Sequence, residues 1–487
     1  MGPSPTLVQS LIAWLPELVL SIGALKLLLL WVFTKRRNLV SAFAWLVLVL
    51  AGLSLLYVQR LPQAAMFSGL IVLDHLSHLF RWLALGVIGL VMLMAAGSSD
   101  VEPQWTGECM ALLLLVGVGL MLMAQANHLL IAYLAIEMVS LSSYVLVALT
   151  RDARASEAGL KYLLFGALCS GIMLFGMSLL YGLSGALGFA EIQQTVERLA
   201  SMSSDLGQAG AFTVALALIL AGLAFKISMV PFHMWTPDVY EGAPIPVAAM
   251  LSVGPKAAGL ALLLRLSWTL TPLWDMIAPV AAVLTVVTMS FGNLVALAQT
   301  NVKRLLAYST IGQVGYLLIG FVVNSAIGLE AIFVYLVAYL FMNLGAFACV
   351  VAVCNQTSDE SLEAFKGLAQ RSPWLAALFA VFLLSLAGIP PLVGFIGKFE
   401  LFRSAVETQH IWLAIAAVVN SAIALYYYMN IVRLMYLQAP ERRQPLVAAA
   451  PVRLALAGCV TATVWLGLFP GPLLVWLQAI AQAANRL

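Results

Sequence analysis

The sequence predicts an all-α polytopic membrane protein with about 14 transmembrane helices, two of them discontinuous. Three observations carry this. Hydrophobic residues fill 63% of 487 positions, charged residues 9%, and mean hydropathy is +1.02; a soluble domain is about one quarter charged. Apolar runs of about 20 residues, the length that crosses a bilayer, recur along the whole chain with short connections. Two runs are broken in a similar way, by prolines near a lysine that free backbone carbonyls.

In order, the runs are 11–33, 39–59, 74–97, 109–125, 128–149, 160–182, 211–231, 246–270, 276–298, 302–323, 329–354, 373–405, 411–437 and 452–480. The first is followed by Lys35, Arg36 and Arg37 with no small-residue cleavage pattern, so it reads as an anchor. No connection is long enough for a soluble domain, a nucleotide site or a haem module. The chain reads as one integral membrane domain, 1–487, whose roomiest loop, 186–208, is mildly acidic. A net charge of +3 gives no basis for binding nucleic acid. Cys109, Cys169, Cys349, Cys354 and Cys459 form no CxxC pair, so neither a disulfide framework nor a metal or Fe–S site is indicated.

Basic residues choose the orientation. Odd-numbered connections hold Lys35, Arg36, Arg37, Arg151, Arg154, Lys303, Arg304, Lys366, Arg371, Arg442, Arg443 and Arg453; even-numbered ones hold mainly Arg60 and Arg198. Odd connections are therefore expected in the cytoplasm and both termini in the periplasm.

The seventh run carries Lys226 and then Pro231; the twelfth reads SLAGIPPLVGFIGKFELF, with Pro390, Pro391 and Lys398. They lie five helices apart. Two inverted five-helix repeats, 109–270 (helices 4–8) and 276–437 (helices 9–13), would place these breaks in matching positions. Such breaks mark ion sites at the membrane midplane.

Ionisable groups at membrane depth are costly and therefore informative. Glu137 sits mid-helix in IAYLAIEMVSLSSY, Lys226 before the first break, Lys256 after Pro255, and Lys398 after the second break. A buried lysine and glutamate whose separation changes can load and release a proton; a static Glu137–Lys226 pair that fixes packing is the competing reading. His233 could bond freed carbonyls or conduct protons. Asp74 reads as an N-cap rather than a relay, His128 as an interface residue, and Glu157 with Lys161 as an i,i+4 pair. Glu17, Lys26 and Arg81 are expected to snorkel, Glu400 to face the surface, and Tyr426, Tyr427 and Tyr428 to pack.

GLAFKISMVPFHMWTPDVYEGAPIPVAA, NLVALAQTNVKRLLAYSTIGQVGYLLIG and SLAGIPPLVGFIGKFELF resemble the proton-translocating, antiporter-like membrane subunits of respiratory complex I. The resemblance covers essentially the whole chain. Within that family it is nearest the N-type branch: Tyr240 and Glu241 stand where M-type, L-type and sodium/proton antiporter subunits tend to have His-Ala, and Lys398 where M-type subunits tend to carry glutamate. The resemblance implies Glu137 and Lys226 as the charge pair of one half-channel, Lys256 as the central lysine, and Lys398 in the exit half-channel. Gln313 stands where relatives often have histidine, which puts a direct side-chain proton step there in doubt. It implies coupling of NADH-to-quinone (ubiquinone) electron transfer to proton pumping in a cell inner membrane. NAD, FMN, Fe–S clusters and quinone would belong to partner subunits, with the M-type subunit and small membrane subunits as neighbours in the bilayer. The alternatives are a cation/proton antiporter subunit and a structural subunit with a vestigial channel.

Overall fold

The structure, a computed structural model, describes residues 5–201, 206–440 and 444–484, without side chains at 199–201 and 206–209. Arg442, Arg443 and Leu487 lie outside the described residues.

The helices are, in order, α1 (Leu7–Ala13), α2 (Leu15–Thr34), α3 (Arg37–Val58), α4 (His75–Gly97), α5 (Thr106–Gln125), α6 (Leu129–Val147) and α7 (Ala153–Ser184). There follow α8 (Phe189–Ser201), α9 (Leu206–Ile227), α10 (Trp235–Gly242), α11 (Ile245–Thr269), α12 (Trp274–Ala296), α13 (Val302–Val323) and α14 (Ala326–Thr357). The remainder are α15 (Leu368–Arg371), α16 (Pro373–Ala387), α17 (Val393–Glu407), α18 (Ile411–Leu437), α19 (Ala450–Leu468) and α20 (Gly471–Ala484). Among the described residues, thirteen helical stretches are long and apolar enough to cross a membrane, and the broken pair α16–α17 makes the fourteenth expected run.

Departures from the expected runs have local causes. Pro470 lacks the N–H a continuing helix needs, so the last run divides into α19 and α20. The first divides at Trp14, and Pro16 opens α2, a position that tolerates proline. The 186–208 loop contains the amphipathic α8. One hairpin, β1 (Ala64–Met66) with β2 (Ile71–Leu73), interrupts the all-helical pattern between α3 and α4.

α11, α13 and α14 are buried along nearly their whole length and form the centre. Outer helices present apolar side chains outward, such as Leu53, Phe175, Val280 and Tyr426; a helix apolar on all sides suits a bilayer. Odd connections gather on one face: Ser99 bonds Asn355, Asp100 accepts from the Ile245 N–H, and the Leu362 N–H reaches the Thr300 carbonyl. Even connections gather on the other, where the Asn127 N–H meets Leu70 and the Leu129 N–H meets Leu187.

Three expected surface groups are buried instead. Arg81 and Glu17 are both fully buried: Arg81 Nε and Nη2 donate to the two carboxylate oxygens at 2.7 and 2.8 Å, and Gln125 completes the cluster. A bidentate fork with a shared amide makes burial of both charges tolerable. Glu400 is also buried, on the face of α17 towards Glu330 of α14, and Arg403 bridges both carboxylates. Lys26 is exposed, as a snorkelling side chain would be. Asp74 caps α4 through the Ser77 N–H at 2.8 Å, and it also holds Arg265 of α11 through two bonds of 2.9 and 3.0 Å.

Candidate functional site: a buried polar axis through two helix breaks

At the first break α9 stops at Ile227 and Ser228 turns left-handed, with φ +63°. The freed groups find protein partners, as a non-aqueous medium demands. Trp235 Nε1 donates to the Phe225 carbonyl at 3.1 Å, the Met229 N–H to Ala224 at 2.8 Å, and the Val230 N–H to Thr288 Oγ1 at 3.1 Å. Thr236 donates to Ser228 Oγ at 2.8 Å.

Lys226 is fully buried in the last turn of α9, and its Nζ donates to Ser140 Oγ of α6 at 2.9 Å. Glu137 lies one turn from Ser140 on the same face. It is half-buried, its Oε1 has no hydrogen-bond partner, and it makes no direct ion pair with Lys226. The expected charge pair is thus not in direct contact: the ammonium donates to Ser140 Oγ, and that hydroxyl donates in turn to the Ile136 carbonyl at 2.8 Å.

α11 brings Lys256 to the same region. A methyl at Gly259, one turn beyond Lys256, would lie within 3.9 Å of the Lys226 stem. Lys256 Nζ has no hydrogen-bond partner and faces the rings of Trp235 and Tyr240, 4.6 and 5.5 Å from their centroids. Such cation–π contacts gain strength when desolvated. One turn earlier on α11, Ser252 accepts from Asn343 of α14 at 2.6 Å.

From there a file of polar side chains runs through α13 and α14. Tyr339 donates to Thr310 at 3.1 Å, Tyr335 stacks on Tyr339, and the Tyr335 hydroxyl donates to Gln313 Oε1. Gln313 Nε2 donates to Tyr428 Oη at 3.2 Å and to the Leu386 carbonyl at 3.3 Å.

That carbonyl belongs to the second break. α16 ends at Ala387 and is capped by Gly388, whose φ of +89° favours glycine; a methyl there would also lie 2.9 Å from Lys398 Cδ. Lys398 Nζ donates to the adjacent Ala387 carbonyl and to Ser421 Oγ, both at 3.1 Å, over the Tyr316 ring at 4.4 Å. Ser421, Tyr316, Asn293 and Tyr427 continue the network through bonds of 3.4, 3.2 and 3.1 Å. Gln313 and Lys398 therefore meet at neighbouring carbonyls of one broken helix.

Other expected residues fall outside this file. His233, in the link after the first break, packs edge-on against Phe291 with its Nδ1 unpartnered. His128 caps α6 and pairs with Gly188 on the even face. Tyr427 and Tyr428 are network members, while Tyr426 is exposed. Glu157 and Lys161 form the expected pair at 2.9 Å. The sequence reading missed Ser140, Asn343, Thr310, Tyr335, Tyr339, Asn293, Tyr316 and Ser421. Their available signal is spacing: Tyr335, Tyr339 and Asn343 recur every four residues, as Thr310 and Gln313 do at three.

Comparison with known proteins agrees with this architecture. Residues 126–424, which include both breaks and all three central lysines, match the family described as NADH:quinone oxidoreductase/Mrp antiporter, transmembrane. NADH-quinone oxidoreductase subunit N of Anaeromyxobacter is 39% identical, aligning over 98% of this chain and 97% of its own. Subunit N 2 of Sorangium cellulosum is 42% identical over 96% of each. A chain of respiratory complex I from Thermus thermophilus superposes with TM-score 0.79 at 32% identity, covering 95% of this chain and 99% of its own. A chain of the Mrp complex from Dietzia gives TM-score 0.82 at 25% identity over 98% and 97%. With near-complete coverage by N-type relatives, the chain belongs to the subunit N branch of the NADH:quinone oxidoreductase/Mrp antiporter family.

Proposed function

We propose that this chain is a proton-translocating membrane subunit of an NADH-quinone oxidoreductase, and that protons move through Glu137, Lys226, Lys256 and Lys398. It sits in the cell inner membrane beside other membrane subunits of the complex, both termini in the periplasm. Its partners carry NAD, FMN, Fe–S clusters and quinone. The observation that carries this reading is the polar file of Tyr339, Thr310, Tyr335 and Gln313 that leads to the break that holds Lys398. Hydroxyls and lysines can exchange protons; Gln313 cannot titrate, so its step runs over bridging water. Glu137 loads Lys226, whose ammonium is held by Ser140, one turn from Glu137 on the same helix, and His233 is a side branch at the first break.

The two units 109–270 and 276–437 support this by their matching order. Each has three continuous helices, a broken one (α9–α10 or α16–α17) and a continuous one. We read them as inverted repeats, each giving one half-channel. Gentle detergent extraction and co-purification test the assignment. A large assembly carrying flavin and iron is expected; a chain that purifies without either supports a cation/proton antiporter.

A further inference from the structure

The short helix α10 stands between water and Lys256. Trp235 and Tyr240 are fully buried, whereas Asp238 and Glu241, one turn apart, reach water with part of their side chains. The inner face is fixed to buried groups. Trp235 stacks on Tyr162 at 4.4 Å, bonds the Phe225 carbonyl, and offers its ring to Lys256. The outer face is tied by ion pairs to both halves of the chain. Arg304 of α13 holds Asp238 at 2.7 Å and Glu241 at 2.8 Å. From α7, Lys161 reaches Asp238 at 3.1 Å and Arg154 reaches Glu241 at 3.4 Å. Arg154 also holds Glu360, as does Lys303, which in addition donates to the Ala243 carbonyl just past α10. A polar cleft of about 520 Å³, lined by Asp100, Arg154, Glu241 and Glu360 among others, opens beside this network. α10 also packs without slack: a methyl at Gly242 would lie 2.4 Å from Ala158 Cβ.

We propose that Asp238 and Glu241 are positioning residues, an ion-pair latch that bridges the two halves and holds the Trp235–Tyr240 wall against Lys256. This rests on the reading of Lys256 as a proton site. Exposed ion pairs singly do little. These share members, so loosening one carboxylate loosens α10 against α7 and α13 together.

The test uses the assembled complex in inside-out vesicles, reading protons pumped per electron, with assembly followed on a native gel. Glu241→Gln keeps the shape and removes the charge. It should lower the ratio severalfold at normal assembly and normal NADH oxidation by artificial acceptors. Arg304→Gln, which removes the charge that both carboxylates share, should do the same, whereas Arg304→Lys, which keeps the charge, should keep most of the ratio. Glu241→Gln added to Lys256→Ala should be no worse than Lys256→Ala alone, because the latch acts through that lysine. Normal pumping in Glu241→Gln overturns the latch. So does normal pumping in assembled Arg304→Gln, since Glu241 would then carry protons itself. If Arg304→Gln does not assemble, the Glu241→Gln and Lys256→Ala comparison decides, and additive losses overturn the proposal. Normal pumping in Lys256→Ala overturns the underlying reading instead.

Discussion

Asp74→Asn isolates the worth of one buried charge. Asparagine caps helices about as well as aspartate, so the bond to the Ser77 N–H survives. What is lost is the carboxylate facing Arg265, whose Nη1 and Nη2 donate to Asp74 and whose Nε donates to the Ala124 carbonyl at 2.6 Å. Both side chains are at most 5% exposed, so the guanidinium would be left buried and uncompensated. Removing one partner of a buried pair costs about 3–5 kcal/mol. Removing both is close to neutral, so Asp74→Asn with Arg265→Met should recover most of the loss. The coupling from a double-mutant cycle should be about 3 kcal/mol. Thermal unfolding of the detergent-solubilised complex, followed by native gel, reads this as a fall in midpoint on the order of 5 °C for the single variant. Because α4, α5 and α11 meet at this clamp, a single variant as stable as wild type would refute the reasoning. So would a double variant no more stable than Asp74→Asn.

Lys226→Ala should reduce proton pumping while NADH oxidation by artificial acceptors stays near normal; Lys226→Arg should not restore it, because arginine effectively never releases its proton. Unchanged pumping in inside-out vesicles at normal assembly would defeat this. A cysteine at position 487, outside the described residues, should react with an impermeant label in intact spheroplasts; the five native cysteines are buried and give little background. Labelling only after lysis would reverse the orientation. Burial alone would raise the Glu360 carboxyl, but Lys303 and Arg154 hold it below its ordinary value of 4.5. Its contribution to stability is therefore complete above pH 4.5 and lost as pH falls through the lowered value. The gap in unfolding temperature between wild type and Glu360→Gln should narrow over that range, and a constant gap would show that the charge is not responsible.

Much of the fold was legible because a bilayer makes burial and sequence nearly the same thing: a run of about 20 apolar residues has few other uses. Lys226, Lys256 and Lys398 stood out for the same reason, as charges in apolar runs. What could not be read was which helix faces which. Asp74 lies 191 residues from Arg265, and Glu17 lies 64 from Arg81. Without that pairing Asp74 was only a cap, and Arg81 only a charge to be brought to the surface. The same gap hid the polar file. Tyr335, Tyr339 and Asn343 form a visible stripe at helical spacing, but only the packing of α14 against α11 and α13 gives the stripe a direction. The Glu137–Lys226 contact failed on a finer scale, since Ser140 on the same helix lay nearer the ammonium.

The account's central claim is that charge passes in series along the axis from Lys256 to Lys398. It is tested most directly by the proton-to-electron ratio of the complex in reconstituted vesicles carrying Lys256→Ala, Lys398→Ala or both. Each single substitution should lower the ratio, and the double variant should be little worse than the more severe single, as physically coupled steps require. Losses that simply add in assembled complexes would mean two independent paths and would contradict the account.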